Sequence, residues 1–438
     1  TLQFHATLFA KIAATLESET FIAAHRTSAT DFTRRRTLTF STLVTTLAQG
    51  FVKGLQSELD DFFGRLSNRA TFVRAVSKSA FSQARKKLCP SVFRALNDLL
   101  LTQWETAVAA PRWHGFRLLA GDTTTLRLPT LPETVEAFGT HGDRWGGATP
   151  MAQAFGLYDT VSGLMVHADL YPAQAREREM LADSLRHVRP DDLLLLDRGF
   201  PAYWLFAWLI EQGRHFCMRV DALGFDAIEQ FAYASNADET VVEINMPAPA
   251  MRKAAAKGYV LSSRVFQLRL IRVRLPSGQT EILATSLLDQ TSYPITEFAA
   301  LYHRRWRIEE CFKLLKCRLA VEHFSGELPE SVRQDFLAKV WLGNLTATFA
   351  YLARATLDAD KQRHFTPNLT YTVAALRAVL PRLMLNLAKA RTVLRQLIDL
   401  VAERLSGFGQ IDISREPDKP SNPLGIVLTR LFDEVSMA

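Results

Sequence analysis

Apolar positions recur at helical spacing through residues 1–110, with few strand-like runs. From Ser77 the chain reads SKSAFSQARKKL, where Ser79 is placed to cap a helix. Phe81, Ala84 and Leu88 share one face of that helix, leaving Arg85, Lys86 and Lys87 largely on the others. Pro90 then opens the next helix, where its missing N–H costs little. From about residue 116 the period changes. FRLLAGDTTTLRLP reads as a strand carrying Asp122, and a Gly-rich loop follows around Gly142 to Gly147. Gln153–Tyr158 and Leu164–Leu170 flank the turn 159–163 as a hairpin. AREREMLADSLRHV is helical, with Arg176 to Glu179 as a solvated start. DLLLLD is a short apolar run, as expected of a strand buried on both faces and ending at Asp197. PAYWLFAWLIEQG reads as a helix in which Trp204 and Trp208 pack into the core, and HFCMRV as a further strand. The order predicts an α/β fold with helices packed on a mixed sheet.

Residues 221–290 break the pattern with Thr/Val/Ile alternation in TVVEINM, YVLSS, FQLRLIRVRL and EILATSLL, a mostly β insertion. Helical texture returns at Pro294 and persists to about Leu405, and 406–424 reads as a loose connection. Four regions result: helical 1–110, a core of 111–220 and 291–350, a β-rich insertion at 221–290, and a helical C-terminal region at 351–438 with a loose tail. No internal repeat or low-complexity tract is evident.

Charge adds one observation. The 438 residues carry a formal +7, and residues 1–115 supply all of it, with 15 Lys/Arg against 8 Asp/Glu. A basic end on a neutral body points to a polyanion, and the triplet Arg34-Arg35-Arg36 adds to it. A helix–turn–helix with a basic exposed face would suit duplex reading, which makes Arg85, Lys86 and Lys87 candidate DNA contacts. The four cysteines have no C-x-x-C spacing and read as reduced, mostly buried thiols. Thr1 to Thr20 has no basic region before an apolar stretch, so no secretory signal is expected. The longest uncharged run, Val340–Ala353, falls short of the ~20 residues a membrane span needs. The expectation is a soluble cytoplasmic protein with no membrane partner. No P-loop, G-x-S-x-G elbow or paired-His metal spacing occurs, so no nucleotide cofactor is expected. His303 reads as a surface residue.

The chemistry gathers in LYHRRWRIEECFKLLKCRL. On an ideal helix Tyr302, Arg305, Glu309 and Lys316 fall within one sector of about 60°. Leu301, Ile308, Phe312, Leu315 and Leu319 form a core stripe beside it. Asp122 and Asp197, on neighbouring strands, together with Glu309 would form an oxygen-only carboxylate cluster of the kind hard divalent cations need. Without cations such carboxylates raise one another's pKa. With two ions ~4 Å apart the cluster can activate a nucleophile toward a phosphodiester. A glycosidase pair of carboxylates is a weaker reading, because the basic stripe beside Glu309 suits phosphate better than sugar.

Asp122 in GDTTTLRLP, Asp197 in LLLLDRGF and Tyr302-x2-Arg305-x3-Glu309-x6-Lys316 resemble the DDE transposases of bacterial insertion sequences, specifically those with the Tyr-Arg-Glu-Lys signature. The likeness covers roughly residues 75–345, including FSGELPESVRQDFLAKVW after the signature. It implies a ribonuclease-H-like core, two Mg²⁺ ions (Mn²⁺ as a substitute) on Asp122, Asp197 and Glu309, and cleavage at element ends followed by strand transfer. Its implied partners are DNA, both terminal inverted repeats and target, and a second copy in a synaptic homodimer. It further implies end-DNA contacts from Tyr302, Arg305 and Lys316, and from Arg219 by weaker likeness. Some members stack a flipped base on a Trp of the insertion. No Trp lies between Trp208 and Trp306, so either another aromatic such as Phe231 or Tyr233 serves or cleavage does not pass through a hairpin. Two other readings fit the same residues: a ribonuclease-H-like nuclease without strand transfer, and a domesticated or catalytically silent DNA-binding protein.

Overall fold

The computed structural model describes residues 2–407 except 35, 68, 70, 143–147, 276 and 386–389. Most of the loop 142–147, the middle Arg of the basic triplet and the connection from 408 onward therefore lie outside the described residues. Helices fill the first hundred residues, ending with Lys78–Arg85 and Ser91–Ala107. Ser77, two residues ahead of the expected Ser79, caps the first of these by accepting from the Ala80 amide. Pro90 sits at the N-cap of the second.

Strands β1 (Arg117–Arg127), β2 (Thr140–Gly142), β3 (Ala148–Asp159), β4 (Leu164–Pro172), β5 (Asp192–Leu196), β6 (His215–Val220), β7 (Glu239–Asn245), β8 (Val265–Arg274) and β9 (Thr280–Thr285) form one nine-stranded mixed sheet. Its path is β2-β3-β1-β5-β6-β9-β8-β7, with β4 paired to β3. β1, β3 and β4 are antiparallel neighbours, and β5 and β6 run parallel to β1. This is the ribonuclease-H-like arrangement, and the four leucines of β5 are buried, as their uninterrupted apolar run predicts. The insertion prolongs the same sheet through β9, β8 and β7. It also carries two helices, Asp226–Ala234 and Ala248–Ala256, which the alternation does not announce, while YVLSS forms no strand. The Ala-rich second helix follows propensity.

Each face of the sheet has its own cover. Ala120, Leu126, Ala152 and Ala154 pack with the helix Pro329–Arg354 and with N-terminal residues such as Leu8, Phe93 and Leu96. Leu119, Phe155, Leu157, Leu194 and Leu196 face Met180 and Leu181 of the helix Glu177–Ser184 and Leu205 of Tyr203–Glu211. Val340–Ala353 lies inside Pro329–Arg354, and among the described residues no helix is long and apolar enough to cross a membrane. Of the four thiols, only Cys217 is buried and Cys317 is exposed, which corrects the expectation of mostly buried cysteines. Trp204 and Trp208 are half-buried against Tyr259, Trp204 stacking on it at 4.2 Å.

Two polar features fix the sheet. At the start of β1, Arg117 forks onto buried Asp192, which pairs with it across the ladder: Nε to Oδ1 at 2.7 Å and Nη2 to Oδ2 at 2.8 Å. On β4, His167 is 5% exposed and stacks on His187 at 4.1 Å. Burial lowers its pKa to about 3, helped by the charges of His187, Arg94 and Arg186, with Asp169 paired to Arg94 nearby. The unfolded chain takes up that proton near pH 6.5, so stability falls as pH drops below 6.5, by about 2 kcal/mol at pH 5. His167→Phe keeps a ring in the stack. It is expected to flatten the fall in melting temperature between pH 7.5 and 5, and an unchanged slope would contradict this account.

Candidate active site

β1 and β5 run parallel with Gly121 opposite Leu196, so the next residues, Asp122 and Asp197, stand side by side where β5 ends. Alternation puts both carboxylates on the face that carries Leu118, Ala120, Leu193 and Leu195. That face is covered by the segment Phe298–Arg318, through Phe298, Leu301, Tyr302, Ile308 and Phe312. Gly156 lies opposite Asp122 on β3, and a Cβ there would stand 2.8 Å from the Met165 sulfur and 3.4 Å from the Phe312 ring. Glycine at 156 lets the ring settle onto the sheet.

The segment itself is not one regular helix. It runs as an α-helix Phe298–His303, a 3₁₀ turn Arg304–Trp306, an α-helix Arg307–Lys313 and a π turn Leu314–Arg318. A 3₁₀ turn advances more per residue than an α turn and a π turn less, so the ideal-helix angles do not hold residue by residue. Three of the four signature side chains nonetheless reach β1 or β5 directly, and Glu309 is tied to them through Arg305. The Tyr302 hydroxyl donates to the Leu196 carbonyl at 3.2 Å, and burial raises its pKa. Arg305 donates to Glu309 Oε1 at 2.9 Å and lies 3.6 Å from Asp122 Oδ2, its guanidinium over the Trp306 ring. Lys316 Nζ donates to the Thr125 carbonyl on β1 at 2.8 Å.

Asp122 is the electrostatic centre. Burial pushes its carboxyl up to about 7, and Asp197 and Glu309 push the same way, against the Thr123 amide and Arg305. Among the described residues no three His, Cys, Asp or Glu side chains stand as a metal-binding group. Arg305 instead holds Asp122 and Glu309 in a shared ion pair. The donor set, three carboxylates of which Asp122 feels the charges of Asp197 and Glu309, is chemically that of a hard divalent cation. Arg305 Nε is buried with no hydrogen-bond partner among the described residues.

Other expected contacts divide. Arg219 is half-buried and paired with Glu281 on β9 at 2.8 Å. Arg85 is not on an exposed face. It is buried and donates to Gln334 Oε1, Ser325 Oγ, the Ser331 carbonyl and Asp335 Oδ1, so its expected role as a DNA contact is corrected to a structural one. Lys87 lies 3.5 Å from Asp31, whereas Lys86, Arg34, Arg36 and His303 are exposed. Phe231 is buried under Arg272 and cannot receive a base, whereas Tyr233 is exposed. One residue escaped the sequence reading. Glu177, taken for a solvated helix start, accepts from the Thr123 hydroxyl beside Asp122. Its signal, a carboxylate opening a helix after the hairpin, has no spacing relation to Asp122.

The sheet order, with Asp122 and Asp197 adjacent at its parallel strands, is that of a ribonuclease-H-like fold. Residues 113–345, more than half of the chain, match the family model described as the transposase DDE domain, and the chain belongs to that family. It is similar to the transposase InsG for insertion sequence element IS4 of Escherichia coli (strain K12), 25% identical over 274 residues. That match takes in 62% of this chain and 60% of the relative, so the chain spans about three-fifths of the curated relative's length. Among solved structures, it is similar to a piggyBac transposase in a synaptic complex with hairpin DNA, at 11% identity and a TM-score of 0.44, over 96% of this chain and 87% of that one.

Proposed function

We propose that the protein is a transposase that cuts DNA at the ends of an insertion sequence and transfers the freed 3′-hydroxyl into target DNA. The observation that carries this reading is the register of β1 and β5, which sets Asp122 beside Asp197 under a segment that brings Glu309 to the same strand ends. Asp122, Asp197 and Glu309 would hold Mg²⁺, two ions in the working site, with Mn²⁺ as a substitute. Cations there polarise the attacking oxygen and stabilise the leaving one. Arg305 balances two of the carboxylates and offers an unpartnered buried Nε–H to a phosphate oxygen. Tyr302 and Lys316 anchor the segment to β5 and β1, and would contact the end DNA beside the cut. Exposed Arg304, Arg307 and Arg318 extend the basic surface around Glu309.

Residues 1–110, which hold most of the surplus positive charge, are proposed to recognise the terminal repeats, with exposed Arg34, Arg36 and Lys86 as phosphate contacts. Residues 221–290 and 351–438 complete the four-region organisation, and two copies would pair the two ends in a synapse. The test is incubation with Mg²⁺, labelled end DNA and a target plasmid. Joined products are expected, and Glu309→Ala is expected to bind the ends yet give none. Nicks without joining would make it a nuclease. Binding without cutting in Mg²⁺ or Mn²⁺ would make it a silent DNA-binding protein.

A further inference from the structure

We infer that Glu177 is a positioning residue that braces Asp122 and Asp197 from the opposite face of the sheet, an inference that rests on the assignment of those two aspartates above. Thr123 follows Asp122 on β1 and so points to the other face, where the helix Glu177–Ser184 packs through Met180 and Leu181. There the Thr123 hydroxyl donates to Glu177 Oε1 at 2.5 Å. The second oxygen of the same carboxylate occupies the space left by the missing side chain of Gly199. A Cβ at 199 would stand 2.6 Å from Glu177 Oε2 and 3.1 Å from Asp197 Oδ1. The Gly199 amide donates to Asp197 Oδ1 at 2.8 Å, and Arg178 Nε donates to the carbonyls of Gly199 and Phe200 at 3.0 and 2.9 Å.

Two consecutive residues, Glu177 and Arg178, thereby grip the neighbour of each aspartate: the hydroxyl after Asp122 and the backbone turn after Asp197. Asp197 is not held to this tolerance by its own strand, because β5 ends at Leu196 and Asp197 begins a turn, and Asp122 lies one residue past the last β1–β5 pair. The carboxylate of Glu177 acts through an accepted hydrogen bond and through filled space. Loss of an outer partner of this kind characteristically costs 10–100-fold in activity or metal affinity.

The test compares Glu177→Ala, Glu177→Gln, Thr123→Val, Gly199→Ala and the double variant Thr123→Val/Glu177→Ala. Three readouts apply: single-turnover end cleavage in Mg²⁺, end-DNA affinity, and Mn²⁺ binding by the DNA-free protein, followed by electron paramagnetic resonance of the free ion. Glu177→Ala, Thr123→Val and Gly199→Ala are each expected to cut about 10–100-fold slower and to weaken Mn²⁺ binding, with end-DNA affinity unchanged. Glu177→Gln keeps a carbonyl acceptor for Thr123 and is expected to stay within a few-fold of wild type. The double variant is expected to be no slower than Glu177→Ala, since both changes break one contact. Wild-type cutting by Glu177→Ala overturns the inference, as does Glu177→Gln failing as badly as Glu177→Ala, which would make charge the operative property. If the wild type itself does not cut, the functional assignment fails separately. The Mn²⁺ titration then decides: weakened binding in Glu177→Ala and Thr123→Val but not in Glu177→Gln supports the brace, and equal binding by all variants overturns it.

Discussion

Asparagine in place of Asp122 is expected to slow end cleavage about 10³-fold, equivalent to roughly 4 kcal/mol of barrier. The side chain keeps its shape and its acceptor for the Thr123 amide but loses the negative charge. The same change should not destabilise the fold. In the wild type, burial and the charges of Asp197 and Glu309 already disfavour ionised Asp122, against help from the Thr123 amide and Arg305. Removing the charge relieves that repulsion, so the melting temperature is expected to hold or rise, the usual trade at a strained functional site. Single-turnover cleavage and a melting curve on the same preparation check both halves. Cleavage at the wild-type rate would remove Asp122 from the chemistry.

The second large effect lies far from the chemistry. Arg85→Ala is expected to cost about 3–5 kcal/mol of stability, because it leaves Asp335 buried without its cation. Both side chains are 2% exposed, and the guanidinium fills four acceptors from the segment Ser325–Asp335. Arg85→Lys is expected to recover little, since an ammonium cannot reproduce that fork. A shift in the urea midpoint measures the loss. A phosphate contact would behave differently: stability would hold while the salt dependence of DNA binding fell by about one ion. That outcome would restore the role its basic neighbours suggest.

Arg85 also shows where reading the sequence stops. Helical spacing located Phe81 and Leu88 on the buried face, and both are buried. It could not locate Gln334 and Asp335, some 250 positions away, which take Arg85 into the interior as well. Asp197 was legible because a carboxylate closing an apolar strand is conspicuous, and Asp122 because it interrupts one partway along; parallel pairing makes the two adjacent. Glu309 followed from the signature spacing, which keeps its meaning because between Tyr302 and Glu309 the chain leaves α geometry only for the single 3₁₀ turn Arg304–Trp306. Glu177 stayed hidden. Among Arg and Glu neighbours it looks like any solvated helix start, and only the fold brings Thr123, 54 residues earlier, against it. The insertion helices were masked for a related reason: the Thr/Val/Ile alternation around them is the louder pattern.

The fork between Arg117 and Asp192 works as a ruler. It zeroes β1 and β5 at one end, and five residues along each strand stand Asp122 and Asp197. Because side chains alternate, losing or gaining one residue on either strand would throw one aspartate to the far side of the sheet while the other stayed. The four leucines between Asp192 and Asp197 can therefore be exchanged for other apolar residues more freely than they can be miscounted. Over this stretch, selection is expected to tolerate spelling changes and to reject every change in length.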